Sequence, residues 1–153
     1  MALPLESVPN FSEGRERSTI DALAAALSSR ARLLDVHADE DHNRSVFTLV
    51  GDENELVESL VAGIACARER IDLRRHEGAH PRVGAADVVP VVPLRPDQMD
   101  RAQAAALSLG ERVGAELQLP VFLYGELAPG RGPGCEGAGR AQLRRRPSPI
   151  HQP

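Results

Sequence analysis

The sequence contains no lysine and no tryptophan: all 18 basic residues are arginine, and aromatic residues make up only 3% of the chain. Without lysine, the chain cannot form a Schiff base or supply the lysine of a phosphate-binding P-loop. The few aromatics leave little surface on which bases could stack, which argues against a single-strand nucleic-acid binder. Cysteine is also scarce, and Cys66 and Cys135 form neither a disulfide framework nor a metal-spaced cluster.

Long apolar runs are missing as well. No stretch reaches the length of a membrane span, and the first residues lack the basic segment that opens a secretory signal. We therefore expect a cytoplasmic protein without a membrane partner. The 153 residues, 42% of them apolar, suffice for one substantial core but hardly for two.

Composition changes sharply near residue 128. The segment 128–153 is rich in Gly, Pro and Arg, and its five Arg and one Glu give +4, so the overall charge of −4 leaves −8 for residues 1–127. It has no periodic apolar residues with which to build a core. We predict one domain over 1–127 and a disordered tail over 128–153. Three consecutive arginines without aromatics do not predict a nucleic-acid site.

Hydrophobic periodicity divides residues 1–127 into alternating strands and helices. The pattern predicts an α+β sandwich, with helices on one face of a mixed or antiparallel sheet of about five strands. Pro90 and Pro93 favour an edge position for the fourth strand, and Ser18 is a candidate cap for the first helix. The predicted strands cover 3–8, 33–37, 46–50, 88–94 and 121–125, and the predicted helices cover 19–28, 52–71 and 96–117.

One stretch, from Arg74 to Asp87, is too polar and too rich in Gly and Pro to be core. It contains a literal H-E-x-x-H sequence from His76 to His80, but Gly78 and Pro81 are incompatible with the helix that a zinc protease needs. A loop is the better interpretation: Pro81 holds His80 extended, and Arg82 follows two residues later on the same side. This pairs a proton-transfer group with an anion-binding group. The alternative is an ordinary hydrogen-bonded loop histidine.

Two further polar groups of residues stand out. In the first, Asp35 and His37 share one face of a strand, with Asp39, Asn43 and Arg44 following in the connection to the next strand; the alternative is a solvated hairpin end. The second is Asn10-Phe11-Ser12-Glu13-Gly14, for which a helix-capping arrangement is the simpler explanation.

In their order along the chain, these motifs resemble the N-terminal subdomain of glutamate formiminotransferases. The resemblance covers about residues 3–127 and includes four motifs: Val8-Pro9-Asn10-Phe11-Ser12-Glu13-Gly14-Arg15; Leu34-Asp35-Val36 with Asn43-Arg44; His80-Pro81-Arg82-Val83-Gly84-Ala85 with Asp87; and Tyr124-Gly125-Glu126. It implies a ferredoxin-like α/β subdomain that packs against a second, similar subdomain in the full enzyme.

The resemblance also implies a reaction and its site. Members of this family of transferases move the formimino group of N-formimino-L-glutamate to tetrahydrofolate in histidine degradation, with tetrahydrofolate as co-substrate and no metal. The catalytic acid and base of the family's H-P-R motif corresponds to His80. The residues we expect to bind substrate are Arg82, Arg44, Asn43, Asn10, Asp35 and His37.

The chain departs from the family pattern after Glu126, where a low-complexity tail stands in place of a linker and a second subdomain. We expect the tail to be a truncation or frameshift product. The expected partners are formiminoglutamate, folate, and either a C-terminal subdomain or a second copy of the chain. The alternative function is a non-catalytic module, left by truncation, that binds folate or another ligand.

Overall fold

The computed structural model describes residues 4–71, 86–119, 121–124 and 140–143. Within these ranges three helices and seven strands follow one another along the chain. The helices are α1 (Arg17–Leu27), α2 (Glu53–Arg70) and α3 (Met99–Glu116), and a short 3-10 turn, Pro96–Gln98, precedes α3. The strands are β1 (Leu5–Ser7), β2 (Asn10–Phe11), β3 (Arg32–Asp39), β4 (Arg44–Gly51), β5 (Ala86–Pro93), β6 (Val121–Tyr124) and β7 (Arg140–Leu143).

The sheet has the strand order of a ferredoxin-like fold. Strands β1 and β2 both pair with β4 on one side and β5 on the other, so they are two pieces of one broken strand. Strand β3 pairs with the free side of β4, and β7 joins β5 to β6. All of these pairings are antiparallel. The predicted α+β class is confirmed, and the described pairings match the antiparallel form of the predicted sheet.

All three helices pack on one face of this sheet. Helix α2 lies between α1 and α3, and each helix also contacts strands of the sheet. Side chains of β4 alternate between the two faces of the sheet. Ser45, Phe47 and Leu49 are buried towards the helices, and their neighbours in sequence are half-buried on the other face. We call that second face, which carries Asn10, Val46 and Thr48, the outer face.

Local signals explain the most regular helix. Asp52 caps α2 through its carboxylate, which accepts the Glu55 amide at 2.8 Å, and the Glu55 carboxylate accepts the Asp52 amide at 3.0 Å. This reciprocal arrangement satisfies two donors that the helix would otherwise leave unpaired. Arg101 of α3 pairs with Glu53 in the same turn, and this hydrogen bond lowers the pKa of the Glu53 carboxyl. The first turn of α2 is thereby joined to α3.

Strand β5 is internal, so the predicted edge position is wrong. It pairs with β1 and β2 on one side and with β7 on the other. Pro93 is the last residue of β5, and Pro90 lies opposite Arg140 in a register with β7 of only two residues. The Pro90 carbonyl oxygen also accepts the buried Ser7 hydroxyl at 2.7 Å.

Strand β7 lies within the predicted tail. For its four residues the expectation of disorder is wrong, because they pair with Val121–Tyr124 and with β5. The rest of 128–153 lies outside the described residues, and the boundary at residue 127 stays a prediction. Non-local pairing of this kind leaves little trace in local composition.

Candidate functional site

The β3–β4 hairpin brings several of the predicted site residues to the outer face. Across the two strands Asp35 lies opposite Thr48 and His37 opposite Val46, and Asp39 faces Arg44 at the end of the ladder. Directly paired residues share a face of the sheet. Asp35 and His37 therefore point to the side away from the helices, and both are exposed.

Asn10 joins the same face from the neighbouring strand. It lies opposite Val46 of β4 and Val88 of β5, so that His37, Val46, Asn10 and Val88 form a row across four strands. The Asn10 side chain is half-buried, and its amide nitrogen donates to the Val8 carbonyl at 3.0 Å. The structure thus brings together Asn10 and His37, which are far apart in sequence.

A pocket of about 330 Å³ opens beside the hairpin turn, lined by His37, Asp39, His42, Arg44 and Val46. The Asp39 carboxylate contacts the His42 ring nitrogen Nδ1 at 2.6 Å and accepts the Asp41 and His42 amides at 3.0 and 3.2 Å. These contacts, led by the hydrogen bond from the His42 backbone, lower the pKa of the Asp39 carboxyl. Asp39 is therefore held as a carboxylate by its own turn.

The turn itself is tighter than the sequence suggested. Strands β3 and β4 extend to Asp39 and Arg44, so the connection between the predicted strands 33–37 and 46–50 shrinks to four residues. Asn43 closes it with a φ of 49°, in the left-handed region that Asn tolerates better than most residues. The Asn43 side chain is 6% exposed, and its Oδ1 accepts the Gly14 amide at 2.8 Å.

The loop after β2 therefore packs directly on the hairpin. The Arg15 Nε donates to the Glu40 carbonyl at 2.8 Å. The Glu13 carboxylate accepts the amides of Arg15 and Glu16 at 2.9 and 2.8 Å, just before α1 begins. These amides precede the helix, and Glu16 at the N-cap of α1 has no side-chain capping hydrogen bond, so the contacts of Glu13 order the loop and do not cap the helix. The separate prediction that Ser18 caps α1 is wrong, because Ser18 lies inside the helix, where its hydroxyl donates to Glu16.

His80 and Arg82 lie outside the described residues. The two ends of their segment are described: Ile71 is buried after α2, and Ala86 opens β5. Ala86 lies opposite Phe11, which in turn lies opposite Ser45. Strand β5 therefore begins beside β2, the strand that contains Asn10.

Comparison with known proteins identifies the family. The sequence matches the formiminotransferase domain, N-terminal subdomain, over residues 4–146. The chain belongs to this family. The matched range includes the residues of β7.

Three relatives illustrate how closely this formiminotransferase subdomain is matched. A glutamate formimidoyltransferase of Thermoplasma acidophilum is 48% identical over 126 residues, covering 81% of this chain and 42% of the relative. One from Streptococcus pyogenes is 42% identical, covering 84% and 44%. A formimidoyltransferase-cyclodeaminase of Rattus norvegicus is 44% identical, covering 84% and 24%. The chain thus spans less than half the length of each of these relatives.

Two features of the candidate site were not predicted from the sequence. His42 was not among the predicted site residues, although Asp39 and His42 are spaced as two side chains that a tight turn can bring together. The close packing of Gly14 on the hairpin was also missed, because it depends on a contact between distant segments. Within the described ranges, no three His, Cys, Asp or Glu side chains group as metal ligands, and no helix is long and apolar enough to span a membrane.

Proposed function

We propose that this chain is the catalytic N-terminal part of a glutamate formimidoyltransferase. It transfers the formimino group of N-formimino-L-glutamate to the N5 nitrogen of tetrahydrofolate. The observation that carries the proposal is the position of three polar residues on the outer face. Asn10 and His37 both lie opposite Val46, and Arg44 lines the pocket together with His37 and Val46. Relatives named glutamate formimidoyltransferase at 42–48% identity support the same assignment.

His80 is the proposed acid and base. It precedes Ala86 by six residues, and such a segment reaches at most roughly 20 Å. Because Ala86 pairs with Phe11, next to Asn10, the outer end of the sheet lies within that reach. A histidine suits the task because its imidazole exchanges a proton near neutral pH.

In the proposed reaction, N5 of tetrahydrofolate attacks the formimino carbon and forms a new C–N bond. His80 takes the proton that N5 loses. The tetrahedral adduct then breaks its bond to the glutamate nitrogen, and His80 returns the proton to that nitrogen as glutamate departs. The products are formimino-tetrahydrofolate and glutamate, and His80 ends in its starting protonation state.

The remaining predicted residues are proposed to bind substrate. Arg44 and Arg82 suit the carboxylates of formiminoglutamate and of the folate tail, since a guanidinium forms paired, charge-assisted hydrogen bonds with a carboxylate. His37 and Asn10 can hydrogen-bond the formimino nitrogens. Asp35 lies next along the same face of β3 and suits a protonated nitrogen of the substrate.

The length of the relatives bears on the partner. Because the chain spans less than half of each of the three relatives described, we propose that activity requires a second subdomain in addition to these 153 residues. The same observation supports the alternative, a module that binds ligand without catalysis.

The test is an assay of formimino transfer by the purified chain, alone and mixed with the separately expressed remainder of the Thermoplasma acidophilum relative. Transfer in either sample supports the proposal. His80→Ala should lower kcat by about 10²–10⁴-fold, the usual range for a general acid–base group. His76→Ala, in the same motif, is the matched control and should keep the wild-type rate.

Two results would contradict the assignment. Equal rates for His80→Ala and the wild-type chain would remove His80 from the mechanism. Absence of transfer in every mixture, together with measurable binding of tetrahydrofolate to the chain by calorimetry, would favour the binding module.

A further inference from the structure

Asn43 is the residue where the hairpin turn meets the loop after β2. The sequence predicts it as a substrate contact, but its side chain is 6% exposed and its Oδ1 accepts the Gly14 amide at 2.8 Å. Its φ of 49° is one that Asn adopts at little cost and that most residues avoid. Both the backbone conformation and the side-chain hydrogen bond therefore favour Asn at this position.

Gly14 packs closely against the backbone of the β3–β4 hairpin. A Cβ added at this position would lie 2.5 Å from the amide nitrogen and 2.6 Å from the carbonyl oxygen of Arg44, and would also overlap the carbonyl oxygen of Asp39. These atoms belong to the backbone, which cannot rotate away as a side chain can. The loop can lie on the hairpin only because residue 14 has no side chain.

We propose that Asn43 is a positioning residue that holds the β3–β4 turn against the loop of residues 12–16 and so fixes Asp39, His42 and Arg44 around the pocket. The hydrogen bond from Arg15 Nε to the Glu40 carbonyl is a second contact between this loop and the turn. The identity of the bound substrate rests on the proposed function; the positioning role does not.

The turn geometry explains why Asn43 can influence the pocket. Asn43 stands between His42 and Arg44, two of the residues that line it. The Asp39 carboxylate accepts the amides of Asp41 and His42, so its environment depends on the path of the turn. If the Gly14 contact is lost, the turn loses the buried hydrogen bond that joins it to the loop, and Arg44 changes direction with it.

Two substitutions distinguish the contribution of the Asn43 side chain from that of its backbone conformation. Asn43→Gly keeps the left-handed conformation and loses the acceptor, whereas Asn43→Asp keeps an acceptor oxygen and tolerates the same φ. Hydrogen exchange at the Gly14 amide reports the contact, and an NMR titration of the Asp39 carboxyl reports the pocket. KM and kcat for N-formimino-L-glutamate, measured in the active mixture described above, report the effect on function.

We expect Asn43→Gly to speed exchange at the Gly14 amide roughly fivefold or more, since the net contribution of a hydrogen bond, about 1 kcal/mol, corresponds to a factor of roughly five. It should also shift the Asp39 titration towards the ordinary carboxyl range, and raise KM roughly tenfold with kcat within about twofold, because Arg44 is displaced while His80 is not. Asn43→Asp should restore most of each value. Asp41→Ala, exposed in the same turn, is the control and should leave exchange at Gly14 unchanged.

The outcomes are distinct. Unchanged Gly14 exchange in Asn43→Gly refutes the contact, and faster exchange with a wild-type Asp39 titration and KM refutes the positioning role. If Asn43→Asp raises KM as much as Asn43→Gly while Gly14 stays protected, Asn43 binds substrate through its amide nitrogen instead. If the wild-type mixture shows no transfer, the proposed function fails, and the exchange and titration measurements still decide whether Asn43 positions the turn.

Discussion

Replacing Ser59 with alanine should destabilise the protein far more than a typical serine substitution. Ser59 lies in α2 and is fully buried, and its hydroxyl oxygen accepts two backbone amides, from Arg30 at 3.0 Å and from Ala31 at 2.7 Å. Both amides belong to the connection between α1 and β3. One side chain thus joins α2 to the segment that leads into the site hairpin.

The magnitude follows from what the substitution leaves behind. A buried amide without a partner costs about 1–3 kcal/mol. The Ala31 amide is buried and the Arg30 amide only partly so, so the second should cost less. Alanine regains up to about 0.5 kcal/mol of helix propensity. We expect a net loss of about 2–3 kcal/mol in the free energy of unfolding, or roughly 6–10 °C in Tm for a chain of this size.

Urea unfolding followed by circular dichroism measures this difference, with Ser28→Ala as the matched control. Ser28 is exposed at the end of α1, where its hydroxyl donates only to the Ala24 and Ala25 carbonyls of its own helix. Its substitution should change stability by no more than about 0.5 kcal/mol. If Ser59→Ala behaves like Ser28→Ala, the two amides have other partners and the argument from burial is wrong.

Three other predictions test the helix cap, the turn and the pocket. Asp52→Ala removes one half of the capping box that it shares with Glu55 and should cost about 1 kcal/mol in urea unfolding. Because its contacts with His42 depress the pKa of Asp39 below the ordinary value of 3.8, that carboxyl stabilises the fold above this value, and the contribution disappears as pH falls through the folded pKa. The Tm of Asp39→Asn should therefore lie below that of wild type at pH 6, and the two should converge as the pH falls through the folded pKa, below 3.8. A constant difference would refute the assignment. Arg44→Ala should raise KM for N-formimino-L-glutamate roughly 10–100-fold in the active mixture, with Arg44→Lys in between; an unchanged KM would remove Arg44 from the site.

The helices were the most predictable part of the fold, because their signals are local. The predicted range 52–71 became Glu53–Arg70, with Asp52 as its cap. The range 96–117 became Met99–Glu116, since Pro96 begins a 3-10 turn and not the helix itself. Apolar spacing and capping residues fix such elements to within a few positions.

Strand neighbours were harder to predict, because pairing is a non-local property. Two prolines argued for an edge position of β5, yet this strand pairs on both sides, with β1 and β2 and with β7. Strand β7 itself comes from a segment whose composition predicts disorder. Neither error could be corrected without knowing which strands lie side by side.

The same limit applies to the site. Its motifs could be recognised one by one along the sequence, but the row from His37 to Asn10 depends on strand register. Burial distinguishes two residues that were both predicted to bind substrate, Asn10 and Asn43. Only Asn43 is buried, and its Oδ1 accepts the Gly14 amide. His80 and Arg82 remain predictions from the motif.

The expected effect of a substitution depends on which face of the sheet it lies on. The helices cover one face with the core and the Ser59 contact, whereas Arg44 and His37 lie on the outer face. Substitutions towards the helices should therefore lower the free energy of unfolding and leave KM of the folded fraction unchanged. Substitutions of His37 or Arg44 at the pocket should raise KM with little change in stability. Asn43, buried between the turn and the loop, is the position where both quantities should change together, and that coupling distinguishes a positioning residue from either a core residue or a ligand contact.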